Sequence, residues 1–433
     1  MFFTNQKTKY CCLVFIFLLF GVLLYQQLKP FVIIKPLNGA IVPKVYQKLT
    51  VENWFDGTYQ KTVEEYFNEK FGFRNIFVRL NNQLLFSLFE KTTAKGVVIG
   101  KEGYLYEKDY IDAYYGRNFI GADSIAETAR KLKVIQDTLE RLNKTLLVIL
   151  APGKASFFPE FIPDALKGNK TITNNEAYVQ QFKTRGLNHI DLNSYFPALK
   201  KTTEYPLYPK NGIHWSCYGA FVAFDSIYKW FEKKLDLDLI DIKVTKTELS
   251  DTARYPDNDI ILGMNLMVDS KDMPLAYISK STEINEKKKM PKLLVVSDSY
   301  WWNITTYAFG KYVFSDERFW FCYREAYPES YSSFTPVGSL KFDEIIAKQD
   351  VIIIMATEAT TNRLGYDFVD HLYKYCKRSG KPKYDQAKLD GWISHIRSNE
   401  NWMKGLKARS EKEKIPLDSL VKSDAIWYLN NQN

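Results

Sequence analysis

The hydrophobic pattern of this chain changes character three times. From Tyr10 to Leu28 ("YCCLVFIFLLFGVLLYQQL") apolar residues are nearly continuous, over a length that, as a helix, about matches a hydrocarbon core of roughly 30 Å. From Gln60 to Lys91 they recur at helical spacing, interrupted at "FGFR" (Phe71 to Arg74), which predicts two amphipathic helices. Further on, short uninterrupted runs stand apart: "LLVILAP" from Leu146, "LNHIDL" from Leu187, "KLLVVSD" from Lys292 and "DVIIIMAT" from Asp350. Helical stretches near Ser124–Leu142, Ser216–Leu235 and Leu340–Lys348 separate them. Such spacing predicts a parallel sheet covered on both faces, a three-layer α/β/α architecture.

Smaller patterns complete the division. Residues 30–60 read as an extended stalk with strand-like pieces ("FVIIKPLNGAIV"), and "VVIGKEGYLYEKDY" reads as a hairpin turning at Gly100 and Gly103. From Tyr384 the chain becomes a charged helical appendage whose apolar stripe is Trp392, Ile393, Ile396, Trp402 and Leu406. The expected units are 1–29 (cytoplasmic tip and signal anchor), 30–92 (stalk and helical lead-in), 93–383 (the α/β domain) and 384–433 (the appendage).

Lys7 and Lys9 precede the first apolar run and no small-x-small cleavage site follows it, the pattern of an uncleaved signal anchor. The two lysines and the amino terminus favour a cytoplasmic start, with the rest of the chain beyond the membrane; Lys29 and Lys35 weaken that bias. A cleaved signal peptide is the alternative.

Charge and cysteine content mainly exclude. The formal charge of +9 is dispersed, densest at Lys287–Lys289 and from Lys377 to Lys383, and no nucleic-acid motif accompanies it. The five cysteines form neither a zinc pattern nor a disulfide framework. With no phosphate-binding glycine loop, dinucleotide fingerprint or H-E-x-x-H, neither cofactor nor metal is expected.

In a parallel sheet, ligands gather where strands end at their carboxyl termini. Three blocks fall there: "APGK" (Ala151–Lys154), "SDSY" (Ser297–Tyr300) and "ATEATTNR" (Ala356–Arg363). Ser299 stands directly after a buried strand, where its hydroxyl can emerge at the sheet edge and its backbone N–H can serve an oxyanion. His214, in "PKNGIHWS", stands just before a helix that Ser216 would cap, and a neutral imidazole can accept a hydroxyl proton near pH 7. Each alone has a structural explanation; together they suggest a Ser–His pair. Asp298 is placed with them as the carboxylate holding the serine loop. Gly153, Lys154, Glu358 and Asn362 are candidates for oxyanion or supporting roles. Trp215, Tyr300, Trp301 and Trp302 flank the two blocks and are candidates for sugar contact, with core packing as the other reading.

Five blocks, "VVIGKEGYLYEKDY", "APGKASFFPE", "PKNGIHWSCYGA", "LLVVSDSY" and "DVIIIMATEATTNR", occur in an order that resembles the AlgJ/AlgX-like polysaccharide O-acetylation proteins, over about residues 50–370. The resemblance implies an SGNH hydrolase-like domain in permuted order, with the histidine block before the serine block. It also implies a Ser–His–Asp triad, an N-terminal anchor in the inner membrane and a catalytic domain in the periplasm or extracytoplasmic space. The implied activity is transfer of acetyl to an exported polysaccharide, with a membrane-bound O-acyltransferase as donor. Ser299 takes the nucleophile's place and His214 the base's.

Two positions depart from the family pattern. Ser297 stands where the serine block usually has glycine, and Gly212 stands where the histidine block has the triad aspartate, two residues before His214. Asn211 could orient the imidazole instead, as in Cys–His–Asn enzymes, or Asp257, Asp259 or Glu358 could reach in from another loop. Alternatives to the transferase are a carbohydrate esterase and a non-catalytic glycan-binding or assembly protein on a degenerate fold, the latter prompted by the missing carboxylate.

Overall fold

The uninterrupted Val, Ile and Leu runs form the centre of a six-stranded sheet in a computed structural model that describes residues 6–29, 31–39, 47–282, 288–379, 386–413 and 415–431. Strands β1 (Val97–Ile99) and β2 (Leu105–Glu107) make the antiparallel hairpin expected at the glycines. They are followed by β3 (Thr145–Ala151), β4 (His189–Asp191), β5 (Ile242–Ser250) and β6 (Leu275–Thr282). Next come β7 (Lys292–Ser297), β8 (Asp316–Phe321), β9 (Glu325–Tyr327) and β10 (Val351–Thr357). The main sheet runs β4-β3-β10-β7-β8-β9, parallel except for β9; β5 and β6 pair separately.

Alternation along the central strands assigns side chains to two cores. Leu147, Ile149, Leu293, Val295, Ile353 and Met355 face one core, which the helix Cys217–Leu235 covers with Phe224, Ile227 and Phe231. Leu146, Val148, Leu294, Val296, Ile352 and Ile354 face the other, beneath the helices Ala122–Arg141 and Phe368–Ser379. Fully burying each such side chain is worth about 1.5–3 kcal/mol, so the doubly covered sheet dominates the fold's stability. This is the three-layer α/β/α arrangement expected from the spacing.

Three details differ from the sequence-based expectation. Strands β8 and β9 extend the sheet beyond β7. The stalk has no strand over 31–39; there Gln26 ties the chain down, its side chain bonding both ways with the backbone of Phe31 and Val32. Residues 51–55 are a short helix, Val51–Phe55, closed by a capping box between Thr50 and Asn53. The lead-in does form two helices, Thr58–Lys70 and Arg74–Phe89. In the appendage, three helices (Gln386–Ser398, Glu400–Glu413 and Leu417–Asn431) pack Ile396 and Leu406 with Leu420 and Val421 in a core of their own. Part of the predicted stalk strand, Lys287 of the basic run, and the boundaries at 29/30 and 383/384 touch positions outside the described residues.

Candidate active site

The three strand-end blocks meet because β3, β10 and β7 are neighbours. Past β7, Asp298 turns the chain and presents Ser299. Its carboxylate accepts hydrogen bonds from the backbone N–H of Tyr300 (3.1 Å) and Thr357 (2.9 Å) and from the hydroxyls of Thr357 and Thr360. Asp298 therefore ties the serine turn to the end of β10 and does not touch the imidazole. Ser297, where glycine is usual, is fully buried, and its hydroxyl has no partner among the described residues. A buried unpaired hydroxyl costs about 1–3 kcal/mol. Ser297→Ala is thus expected to leave the thermal unfolding midpoint unchanged or raise it, while Ser297→Thr should lower it.

The segment carrying His214 is held at many of its backbone groups. The N–H groups of Lys210 and Asn211 donate to Asp272, at 2.8 and 2.9 Å. The carbonyls of Lys210 and Gly212 accept from the Lys154 Nζ, each at 2.7 Å. The Tyr300 hydroxyl donates to the Ile213 carbonyl, and its ring lies against the imidazole at 4.9 Å. Ser216 caps the following helix by accepting from the Gly219 N–H.

Across this segment His214 and Ser299 meet. Nε2 of the imidazole lies 2.8 Å from the Ser299 Oγ, and Nδ1 lies 2.7 Å from Oδ2 of Asp259. With the Nδ1–H donating to the carboxylate, Nε2 carries the lone pair facing the serine hydroxyl. The other oxygen of Asp259 accepts from the N–H of Ile213 (3.0 Å) and of Ile260 (2.9 Å), which fixes the carboxylate's orientation. Burial lowers the imidazole's pKa, but the charge of Asp259 and its hydrogen bond outweigh that, and the net shift is upward. The side chain of His214 remains 13% exposed, so the group opens to solvent. The Ser299 N–H, at the start of the turn into Trp301–Thr306, has no partner among the described residues.

Gly212 explains why the carboxylate comes from elsewhere. A Cβ at this position would fall 2.3 Å from the Asp257 carbonyl oxygen and 2.9 Å from Oδ1 of Asp259. The loop bearing Asp259 fills the space that a side chain at 212 would need.

Several candidates occupy other places. Asn211 turns away from the imidazole: its amide donates to the Ser270 carbonyl and its oxygen accepts from the Ser270 hydroxyl. The Gly153 N–H is spent on Glu358, which is buried at the end of β10 and also accepts from Asn193, so neither reaches the serine. Asp257 is buried beneath the loop, accepting from the Tyr307 hydroxyl and the Cys217 N–H; burial pushes its carboxyl up to about 7. Asn362 lies exposed on a turn beside Arg363 and Asp367. Trp215, Tyr300 and Trp301 are fully buried, and Trp301 donates to Glu317; these three are core, not sugar platforms. Trp302 is half-buried against Phe319 and Tyr327. Sequence reasoning named Asp259 only among several acids; the tight glycine at 212 was the signal for a neighbour filling that space.

Residues 97–263 match the family model described as an SGNH hydrolase-like domain of the acetyltransferase AlgX. Over this stretch the chain is similar to the AlgJ/AlgX-like family. The matched AlgJ/AlgX-like segment includes His214 and Asp259 and ends before Ser299. A curated relative, the probable alginate O-acetylase AlgJ of Pseudomonas syringae pv. tomato, is 26% identical over 187 residues, 42% of this chain. The match spans 45% of that relative's length. Among solved structures, the O-acetyltransferase domain of Pseudomonas putida AlgJ is similar, with a TM-score of 0.44 and 16% identity, over 64% of this chain and 99% of that one. Pseudomonas aeruginosa AlgX gives a TM-score of 0.42 and 14% identity, over 63% and 67%. One helix among the described residues, Gln6–Leu28, is long and apolar enough to cross a membrane, and it fits a single-pass anchor of this AlgJ/AlgX-like chain.

Proposed function

We propose that the protein is a membrane-anchored O-acyltransferase that acetylates an exported or cell-surface polysaccharide through an acyl–Ser299 intermediate. The observation carrying this reading is the continuous chain Ser299 Oγ, His214 Nε2, His214 Nδ1 and Asp259 Oδ2, with its two links at 2.8 and 2.7 Å. Ser299 attacks the acyl carbonyl as its proton passes to Nε2, and the Ser299 N–H faces the oxygen that gains charge. Collapse expels the donor's leaving group, which takes the proton from His214. A sugar hydroxyl then gives its proton to Nε2 and attacks the acyl carbonyl; as the C–O bond to Ser299 breaks, Nε2 returns that proton to the Ser299 Oγ. Asp259 holds the imidazole in the required tautomer and stabilises its charged form.

The AlgJ/AlgX-like sequence favours acetyl as the group, a polysaccharide as acceptor and a membrane-bound O-acyltransferase as donor. The apolar helix Gln6–Leu28 supports an inner-membrane anchor with the α/β unit, about residues 93–383, outside the cytoplasm. The reading as a degenerate, non-catalytic fold rested on a missing carboxylate, and with Asp259 at Nδ1 that motive is gone. Esterase action remains the second reading, favoured by the solvent-open side of His214: water in place of the sugar would release acetate.

Incubation of the full-length protein with p-nitrophenyl acetate tests the reading by peptide mass mapping. One acetyl group is expected on the peptide containing Ser299, absent from Ser299→Ala. Discharge by oligosaccharide faster than by buffer identifies the transferase, and equal discharge the esterase. Equal acetylation and p-nitrophenol release by wild type and Ser299→Ala would overturn both.

A further inference from the structure

The helix Arg74–Phe89 turns much of its apolar surface outward, with Asn81 and Ser87 exposed on it as well and Phe86 packed inward on the core. Its polar stripe faces the protein: Arg79 donates to the Leu266 carbonyl (3.1 Å), Asn82 to the Met264 carbonyl (2.8 Å), and Gln83 accepts from the N–H of Met267 and Val268. Phe77, Leu80, Leu84 and Leu88, spaced to share one helical face, point outward at 49%, 46%, 48% and 67% exposure. Water-facing helices of soluble proteins have the opposite arrangement. On the neighbouring helices Trp54, Phe55 and Phe67 are exposed too.

The position of this helix identifies what covers the stripe. The turn that starts it packs on the last turns of the apolar helix Gln6–Leu28: a Cβ at Gly72 would lie 2.2 Å from the Leu23 carbonyl oxygen and 3.1 Å from the Gln26 Cβ. Phe73 meets Phe31, just past that helix, edge to face at 5.9 Å. The outward stripe therefore begins where the anchor leaves the hydrocarbon. Exposed apolar residues recur on the helices before it as well, which suits a fluid surface.

We propose that the helix Arg74–Phe89 lies in the interfacial layer of the bilayer, with Phe77, Leu80, Leu84 and Leu88 inserted among the lipids. This rests on the anchored reading above. The same helix grips residues 264–268, which directly follow the helix Asp259–Gly263 that begins with Asp259. The membrane surface thus fixes the height and tilt of the site, keeping Ser299 within reach of an acyl group delivered from the bilayer.

Photo-crosslinking in the full-length protein, reconstituted in phosphatidylethanolamine–phosphatidylglycerol vesicles and also retained in host membranes, tests this. Benzoylphenylalanine would replace Leu84 or Leu88, with Phe17 as anchor control and Lys229, on the remote helix Cys217–Leu235, as negative control. Lipid adducts are expected at 17, 84 and 88 and not at 229. A lipid adduct at 17 with none at 84 and 88 overturns the interfacial helix and spares the anchor. Its absence at 17 overturns the anchor and this proposal together. A protein adduct in place of lipid at 84 and 88 in host membranes also overturns the proposal, assigning the face to a protein partner.

Discussion

Asp259→Asn is expected to lower kcat/KM for acyl transfer by on the order of 10⁴-fold, the scale on which a triad histidine suffers when its tautomer is lost. The asparagine fits the same space and retains an oxygen for the Ile213 N–H, so the unfolding midpoint should change little. The pH profile supplies the decisive sign. Catalysis requires neutral His214, whose pKa in the folded protein is raised because Asp259 outweighs burial. The acid limb of wild type should therefore lie above the ordinary imidazole value of about 6.5, and activity should fall as pH drops through it. Without the carboxylate's charge, burial dominates and the limb of the residual activity should move to lower pH. An unmoved limb with near-normal turnover would remove Asp259 from the proposed triad.

Lys154 carries the second large expectation, this time on stability. It is fully buried, and its two bonds to the Lys210 and Gly212 carbonyls match the two hydrogens of a neutral amine. Burial lowers its pKa to about 7, against an ordinary value of 10.5. Between these values the unfolded chain binds a proton that the folded chain does not, so this group makes stability rise with pH, at up to about 1.4 kcal/mol per unit. Lys154→Met should be less stable, because it leaves two buried carbonyls without a donor at about 1–3 kcal/mol each. Its stability should also lack the wild-type rise between pH 7 and 10. Parallel wild-type and variant curves in denaturant titrations across that range would contradict the assignment.

The central strands were legible because doubly covered strands need no polar face: β3, β7 and β10 are runs of Val, Ile and Leu. Strand β8 opens Asp316-Glu317-Arg318, and its apolar half is too short to stand out; β9 has three residues. Strand β5 mixes Lys and Thr because most of it is exposed. At the site, Ser299 and His214 were legible from their places beside a strand end and a helix cap. Asp259 was not, since Asp257 and Asp259 are equivalent in sequence and three-dimensional packing alone buries one and aims the other. Asn211 misled for the same reason: its amide was free on paper and is engaged with Ser270 in the fold. The tryptophans misled because aromatic flanks of a buried turn fill the core as readily as they meet a sugar.

Serine, histidine and aspartate arrive on three separate stretches, with 85 positions between the first two and 45 between the last two. No contiguous fragment shorter than that span can assemble the nucleophile with its base. Chemical competence is thereby coupled to completion of long-range contacts, which form late because loop closure must precede them. On the anchored acyl-serine reading proposed above, a chain still emerging on the far side of the membrane is inert toward esters, and acquires reactivity only once its last distant partners have docked.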